Sequence, residues 1–575
     1  MSFLSKLSKQ HIVAKPGFNR WLVPPASVSI HLCIGSVYSW SAFNDALERV
    51  VGVAAPSAAD WSLGDTQITY TLAIVSLGLA AAIAGHWLEK VGPRMVGFVS
   101  ACCWGGGFMI GGLGIFLHSI GWAGIPLPFD WVIDGKILLY LGYGVLGGCG
   151  LGLGYVSPVA TLVRWFPDRR GMATGMAIMG FGGGAMIGFP LKTYLIEKFY
   201  VKPDYVGAEN AVDVVTNAAG ERMVEIAGSL QQVVLVGANE VEKMIVPGEP
   251  GFYLVGTGSS GLAEAFFALG VIYFVIMSIA AFSYRIPTEG WKPEGWEPPT
   301  EEEQKKKMIT TQHVHINQAI KTPQFWLLWI VLCFNVSAGI GVLGAAKTLI
   351  RDVFDVSAAF AVTYGTMISV FNMAGRFFWA SMSDYMGRKN TYYTFFTLGI
   401  LLYGSIPIIA EQWAVNPATT WLVLFYGATM IIFTMYGGGF ATIPAYLADI
   451  FGTKYVGGIH GRLLTAWSAA GVIGPMALNV LREKTRLASI GDLAKKVSDE
   501  SFFEKFGAGK DQLETLVEAK TVTLGKLMDI ASPGTIDPSV YLYNSTMYMM
   551  VALLAIALVS NFLIRPVHSR HHMSE

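Results

Sequence analysis

Two short polar stretches decide the fold of this chain: GHWLEKVGPR at residues 85–94 and ASMSDYMGRK at residues 380–389. Each has an acidic residue, a glycine three positions later, and a basic residue one or two positions after the glycine. Such a pattern predicts a tight turn flanked by charges that pair with neighbouring helix ends. The same turn at two distant points of the chain indicates a structure built from two related halves.

Long apolar runs surround these turns and fill most of the chain. A run of about 20 apolar residues crosses the ~30 Å hydrocarbon core of a bilayer as a helix. We expect an all-α polytopic membrane protein with twelve transmembrane helices, near residues 21–47, 67–88, 95–118, 137–163, 171–197, 261–284, 324–350, 357–381, 391–411, 420–447, 459–482 and 540–564. The quoted turns then follow the second and the eighth helix, which are matching positions in the two halves.

Polar segments divide the chain further. We expect helices one to five in 1–197, an insertion in 198–260, helix six in 261–284, a cytoplasmic linker in 285–322, helices seven to eleven in 323–482, a second insertion in 483–539, and helix twelve with a short tail in 540–575. The first insertion contains strand-like runs such as 232–236, and the second contains a helical run near 511–519. The two insertions either pack together as an outer cap or are independent, and the sequence leaves both alternatives open.

Composition excludes several classes of function. The chain is 53% hydrophobic and 14% charged, and its formal net charge is zero, which gives no electrostatic basis for binding nucleic acid. Its five cysteines lie in apolar runs without metal-ligand or redox spacing, so we expect no metal, no cofactor and no disulfide in the insertions. We expect a monomer whose partners are the lipid bilayer and a small solute.

Basic residues predict the orientation. The segments that would be cytoplasmic if the N-terminus is inside carry most of the lysine and arginine of the short loops, whereas the opposite loops carry few, such as Arg49, Lys136 and Arg351. This asymmetry is typical of cytoplasmic loops. We therefore expect a multi-pass protein of the cell (inner) membrane with both termini in the cytoplasm.

The two quoted turns resemble the signature loop of the major facilitator superfamily. Ala380 replaces the usual leading glycine of that signature, and Glu89 replaces the usual aspartate. The resemblance implies two six-helix bundles that rock about a central site in alternating access. It also implies that the loop charges and glycines act in gating, as a latch on the cytoplasmic side: Gly85, Glu89, Gly92, Arg94, Asp384, Gly387 and Arg388.

Arg376 is the main candidate for binding a solute, because an ionisable residue inside a span is costly and therefore a functional candidate. It lies eight residues before Asp384, or about 12 Å into the membrane at helical rise. Asn372 lies four residues earlier on the same helix face. The guanidinium offers a planar fork that matches a carboxylate. The alternative is a structural pair with an acid on another helix, but no acidic residue lies well inside a predicted span.

Three tyrosines lie in or beside glycine-rich parts of the helices. Tyr38, Tyr155 and Tyr436 fall in helices one, four and ten. A tyrosine beside glycines can direct its hydroxyl into a cavity while the helix backbones approach closely, although packing is the commoner use of such a residue. Together the three tyrosines favour a site for a small polar ligand.

A closer resemblance is to the oxalate:formate antiporter family, which is near the monocarboxylate transporters. It is carried by residues 38–41, 165–175, 290–296 and 448–454. The resemblance implies that Arg376 binds the substrate carboxylate and that Asn372, Tyr38, Tyr155 and Tyr436 line the cavity. It also implies that Trp467 stands where the oxalate carrier of the family has a second cation. One cation suits one carboxylate, so we expect transport of a monocarboxylate such as lactate, pyruvate, formate or acetate.

The coupling ion and some alternatives stay open. His31 and His460 are candidates for carrying a proton, since histidine titrates near neutral pH, and exchange without proton coupling is the alternative. Other possible functions are transport of oxalate or nitrate, or a membrane sensor whose insertions bind a ligand. An enzyme is not expected, because the sequence has no nucleophile–base or metal constellation.

Overall fold

The computed structural model describes residues 7–126, 128, 132–166, 170–288, 291–295, 310, 312–452 and 455–573. In this part of the chain, twelve long helices follow one another in two sets of six. The first set is α1 (Val23–Gly35, continued by Ser36–Phe43 and Asn44–Leu47), α2 (Leu63–Val91), α3 (Pro93–Ser119), α4 (Gly135–Leu139, Tyr140–Gly147 and Gly148–Trp165), α5 (Arg170–Phe199) and α6 (Leu262–Ser283). The second set is α7 (Pro323–Phe354), α8 (Ala358–Met386), α9 (Arg388–Val415), α10 (Thr419–Phe451), α11 (Val456–Leu463 and Thr465–Lys496) and α12 (Asn544–Leu563).

Eleven of these helices, as far as their residues are described, are long and apolar enough to cross a membrane, and α5 is the twelfth long helix. Large apolar side chains point away from the protein along the helices: Ile83, Leu401 and Phe562 are 74%, 66% and 67% exposed. Such exposure is stable only in contact with lipid. The expected twelve-helix membrane fold is confirmed.

The helix of the eleventh span is longer than its apolar run. The apolar run predicts a span near 459–482, and α11 continues to Lys496. The extension is polar, and Arg486 pairs with Glu483 at 2.7 Å on the same helix. Hydropathy marks where a helix leaves the membrane, and i,i+3 charge pairs allow the helix to continue beyond that point.

The two halves pack against each other mainly through three helix pairs: α1 with α7, α2 with α11, and α5 with α8. Two helices of the first half depart from regular α geometry. The segment Ser36–Phe43 of α1 is a 3-10 helix, and Ser39 inside it has non-helical dihedral angles. The segment Tyr140–Gly147 of α4 is a π-helix, a form that often occurs at functional sites.

The two predicted turns have the same backbone geometry. Gly92 ends α2 with φ +87°, and Gly387 ends α8 with φ +83°. Both are left-handed conformations that favour glycine, and each lets the next helix begin at once. The expected tight turns are confirmed. We call the side of the membrane that carries these turns the loop face.

The charges beside these turns are only partly described. Arg94 donates from Nη2 to the Tyr284 carbonyl oxygen at 3.1 Å. Arg388 donates to the Ser383 hydroxyl and lies 3.7 Å from Asp449. Gly85 belongs to α2, whereas the side chains of Glu89 and Asp384 lie outside the described residues. The gating role of this set therefore stays a prediction.

On the opposite side, charged residues join the two halves directly. The Asp45 carboxylate, at the end of α1, lies 3.0 Å from Lys347 Nζ and 2.6 Å from Arg351 Nη1, both on α7. Nearby, Asn44 Nδ2 donates to Thr348 Oγ1 at 3.2 Å. The prediction that Arg351 lies in a loop is wrong: it is a buried residue of α7 with an acidic partner on the other half. These contacts close the halves together on this side.

The two insertions lie on that same side, which we call the insertion face. The first, residues 200–261, contains a five-stranded antiparallel sheet in the order β3-β7-β6-β5-β4, with β3 Tyr205–Gly207, β4 Val215–Thr216, β5 Arg222–Ile226, β6 Ser229–Val236 and β7 Gly251–Leu254. A two-stranded hairpin in the α3–α4 loop supplies β1 Ile125–Pro126 and β2 Val132–Ile133. The second insertion, residues 497–543, contains the helices Asp499–Phe506, Leu513–Glu518 and Leu524–Met528.

The two insertions pack together, which decides between the two alternatives that the sequence leaves open. Thr216 Oγ1 of the first donates to the Phe506 carbonyl oxygen of the second at 3.1 Å. Asn239 Nδ2 donates to Asp529 Oδ1 at 2.7 Å. We call residues 200–261 and 497–543 together the cap. Because one insertion comes from each half, the cap is a second connection between the halves on the insertion face.

Candidate substrate-binding site

Arg376 lies at the centre of the interface between the halves, fully buried in α8. Its Nε donates to Asn372 Oδ1 at 3.1 Å, one helical turn earlier. Its Nη1 donates across the interface to the Ile178 carbonyl oxygen of α5 at 3.1 Å. Gly182, also on α5, leaves room for this approach, since a Cβ there would lie 2.8 Å from Arg376 Nε. The guanidinium of one half therefore touches the backbone of the other.

Arg376 has no acidic partner among the described residues: no carboxylate oxygen lies within 4.0 Å of its nitrogens. Its guanidinium carbon instead lies 5.3 Å from the Phe440 ring centroid and 5.8 Å from that of Phe181. Aromatic faces stabilise a cation only by about 0.5–2 kcal/mol, less than burying the charge costs. The position of Arg376 therefore favours an external anion as its partner over the structural ion pair.

The predicted aromatic residues gather around the guanidinium. The hydroxyls of Tyr38 and Tyr436 form a 2.9 Å hydrogen bond that crosses from α1 to α10. Trp467 of α11 contacts Tyr155 of α4 at a ring distance of 5.4 Å, and it contacts Phe440 at 4.5 Å. Tyr38 and Tyr155 are close enough to interact with the charge of Arg376. All six residues predicted for the substrate site thus lie in one cluster.

Several donors of this cluster have no acceptor among the residues that the structure describes. They are Arg376 Nη2, Asn372 Nδ2, the Tyr155 hydroxyl and Trp467 Nε1, and all are buried. An unsatisfied buried donor costs about 1–3 kcal/mol, and native structures rarely retain several together. A carboxylate supplies two oxygens that accept hydrogen bonds and carries the charge that a guanidinium binds best. The unpaired groups therefore define a site whose chemistry suits a small anion.

The two histidine candidates lie in different parts of the structure. His31 is fully buried, and its Nε2 lies 3.2 Å from the Tyr155 carbonyl oxygen. Its ring centroid lies 5.5 Å from that of Tyr155, so His31 borders the cluster. His460 instead lies in Val456–Leu463, the short first segment of α11 that follows the loop face. Within the described residues, no group of histidine, cysteine and acidic side chains could hold a metal ion.

Sequence analysis missed one buried cation near the centre, Lys192 of α5. Its Nζ donates to the carbonyl oxygens of Ser36 at 2.8 Å and Ser39 at 3.3 Å, and it lies 4.4 Å from the Phe43 ring centroid. These carbonyls belong to the 3-10 segment of α1, where α-helical hydrogen bonds are interrupted. The available signal is a lysine inside the fifth predicted span, five residues before its predicted end at residue 197. The hydrogen bonds of Lys192 could not be predicted, because they depend on the irregular backbone of α1.

Comparisons with known proteins agree with this architecture. The Major Facilitator Superfamily profile matches residues 34–203 and 251–475. The chain is 26% identical over 459 residues to the oxalate:formate antiporter of Oxalobacter formigenes, covering 79% of this chain and 83% of that protein. It is 22% identical over 480 residues to apicoplast pyruvate carrier 1 of Toxoplasma gondii, covering 76% and 78%.

The fold is similar to that of a solved transporter. The crystal structure of a bacterial homologue of the human lysosomal transporter Spinster, inward-facing and unoccupied, superposes with a TM-score of 0.54 at 15% identity, covering 96% of this chain and 97% of that one. The paired turns, the six-plus-six helices and the profile match lead to one assignment. The chain belongs to the Major Facilitator Superfamily and is a multi-pass membrane transporter.

Proposed function

We propose that this transporter carries small monocarboxylates such as lactate, pyruvate, formate or acetate, and that Arg376 binds the carboxylate. The observation that carries the proposal is a fully buried guanidinium that has no acidic partner within the described part of the chain and is surrounded by unpaired hydrogen-bond donors. The names of the relatives support the substrate class, since one exchanges oxalate and formate and another carries pyruvate. Oxalate or another anion such as nitrate, and a sensor role, are the alternatives.

The position of Arg376 supports alternating access. Its guanidinium belongs to the second half, but one of its two hydrogen bonds goes to the Ile178 carbonyl oxygen of the first half. A carboxylate that takes the place of this carbonyl would release α5 from α8 on the loop-face side. The same anion would bring together donors of both halves, such as Tyr155 and Trp467. Substrate binding and the relative motion of the halves are therefore coupled through one side chain.

Two coupling mechanisms fit this site: symport with protons, and exchange of one anion for another. His31 supports the proton-coupled scheme, because it adjoins Tyr155 and belongs to the same interface. Exchange needs no titrating residue and only requires that the empty site reorients slowly. A pH gradient that drives accumulation above the equilibrium concentration would favour proton coupling.

Counterflow in proteoliposomes tests the proposal. Vesicles that contain the purified protein and unlabelled lactate, pyruvate, formate or acetate should take up the labelled monocarboxylate transiently above equilibrium. A sensor would show no counterflow with any solute. Counterflow with oxalate or nitrate but with none of the monocarboxylates would contradict the assigned substrate class while leaving a transporter.

We expect Trp467 to restrict the site to anions with a single negative charge. Trp467→Lys places a second cation beside Phe440, which itself borders Arg376. We expect the ratio of oxalate to lactate uptake to rise by about tenfold, the effect of one additional charged hydrogen bond. Trp467→Phe keeps an aromatic ring and should leave the ratio unchanged. Equal ratios in both variants would show that Trp467 does not determine substrate charge.

A further inference from the structure

A cavity of about 20 Å³ lies at the joint between the two insertions. That volume holds one particle about the size of a water molecule. The charged residues that line it are Glu221 and Arg222 of the first insertion and Lys520 and Lys526 of the second. Three cations and one acid therefore surround a space at which the two insertions meet, far along the chain from Arg376.

Arg222 is a buried cation with an unused hydrogen-bond donor. It begins β5, is 5% exposed, and donates from Nη2 to the Lys505 carbonyl oxygen of the other insertion at 2.7 Å. Its Nη1 is buried without a hydrogen-bond partner. Among the described residues no carboxylate lies within 4.0 Å of its guanidinium. Burial lowers the pKa of Arg222 to about 10, against the attraction of Glu209 and Glu240.

Lys526 of the second insertion also lines the cavity and is also buried. It is 4% exposed, and the one acceptor near its ammonium group in the described structure is the Lys520 carbonyl oxygen at 3.5 Å, a long contact. Burial lowers the pKa of Lys526, and repulsion from Arg222 and Lys505 acts in the same direction against attraction by Glu240 and Asp529. A charged group removed from water in this way is costly unless it gains a partner.

The other two charged residues that line the cavity already have hydrogen bonds. Lys520 donates to the Asp60 carbonyl oxygen at 2.7 Å, and that carbonyl belongs to the loop after α1. The single acid, Glu221, accepts from Asn217 Nδ2 at 2.9 Å and from Gln232 Nε2 at 3.4 Å. The acids Glu209, Glu240 and Asp529 attract these cations from outside the cavity lining, but Arg222 Nη1 stays an unused donor at the cavity.

We propose that the cap joint binds a monovalent anion of chloride size between Arg222, Lys520 and Lys526. The cavity volume suits a particle of about water size, and three of the four charged side chains that line the cavity are cationic. Since Lys520 also holds the loop after α1, the bound anion would connect both insertions and the first half. It would thereby stabilise the closed insertion face. The inference does not depend on which substrate binds at Arg376.

Thermal unfolding of the full-length protein in detergent tests this site. We expect Tm to rise saturably in sodium chloride relative to sodium gluconate at equal ionic strength, because a ligand of the folded state stabilises it by mass action. Lys526→Met keeps the length of the side chain and should lose the whole chloride-dependent rise. Lys495→Met removes a lysine that is exposed in the structure and should keep it. Arg376→Ala should also keep it, which separates the cap from the substrate site.

Three results would overturn the proposal: equal Tm in chloride and gluconate, an undiminished rise in Lys526→Met, or loss of the rise in Arg376→Ala. A rise caused by formate but not by chloride in Arg376→Ala would mean that the cap binds carboxylates. Anomalous scattering gives a readout that does not depend on any variant folding. Crystals of the unmodified protein soaked in bromide should show a peak between Arg222 and Lys526, and its absence would contradict the site.

Discussion

Arg376→Ala is expected to lower monocarboxylate uptake by about 30-fold or more at fixed protein density. Removing one partner of a buried, hydrogen-bonded charge pair costs about 2–5 kcal/mol, and each 1.4 kcal/mol is a factor of ten. The loss should appear in substrate affinity as well as in rate, because the guanidinium binds the substrate throughout. Initial rates of labelled lactate or formate uptake in proteoliposomes measure the effect.

Arg376→Lys and Arg164→Ala are the matched controls. Arg376→Lys retains the charge but loses the planar fork, so its uptake should lie between those of the wild type and Arg376→Ala. Arg164 is an exposed arginine of α4 outside the site, and replacing it should leave uptake unchanged. Uptake by Arg376→Ala at the wild-type rate would show that Arg376 does not bind the substrate.

Asp45→Asn is expected to open the insertion face. The Asp45 carboxylate binds Lys347 and Arg351 together, and its loss leaves two buried cations that repel each other. Breaking a buried pair costs about 3–5 kcal/mol. If opening the halves lets both cations reach water, the open state should become more populated by about 100-fold or more. Transport should fall as well, because the carrier then returns to the closed state less often.

Cysteine accessibility measures this change. Ser41 of α1 is fully buried beside α7, so a cysteine at this position reports opening. In a background without the five natural cysteines, Ser41→Cys should react faster with an impermeant thiol reagent when Asp45→Asn is present. The control is Asp352→Asn, which removes a 2.7 Å pair with Arg482 inside the second half. Equal reaction rates in the two variants would show that the Asp45 contacts do not hold the halves together.

Features with a local physical cause could be predicted from the sequence. The turns at Gly92 and Gly387 need a left-handed glycine, and both sequence and structure have one there. The helices follow from apolar runs of membrane length. Arg376 could be found because a single guanidinium deep in an apolar run is costly wherever its neighbours lie. The glycine-rich context indicates Tyr38, Tyr155 and Tyr436 as candidates, and the resemblance to a known family places them and Trp467 in the same cavity.

Features that depend on contacts between distant segments could not be predicted. Lys347 lies in an apolar run just as Arg376 does, but its pairing with Asp45 depends on how α1 and α7 meet. Lys192 depends on the irregular backbone of α1. The packing of the two insertions into a cap could not be predicted, because no local pattern shows whether segments separated by more than 200 residues touch. The unpaired donors around Arg376 likewise become visible only when α4, α8 and α11 are placed together.

The 3-10 segment of α1 has a consequence for the length of that helix. A 3-10 helix rises about 2.0 Å per residue and an α-helix about 1.5 Å. The eight residues Ser36–Phe43 therefore span about 4 Å more than they would as α-helix. Asp45 lies just beyond this stretch and reaches α7 at that extended length. We expect that rewinding the segment to α geometry would withdraw Asp45 from its partners and turn Tyr38 away from Tyr436, so that the winding of α1 sets the distance between the candidate site and the ion pairs on the insertion face.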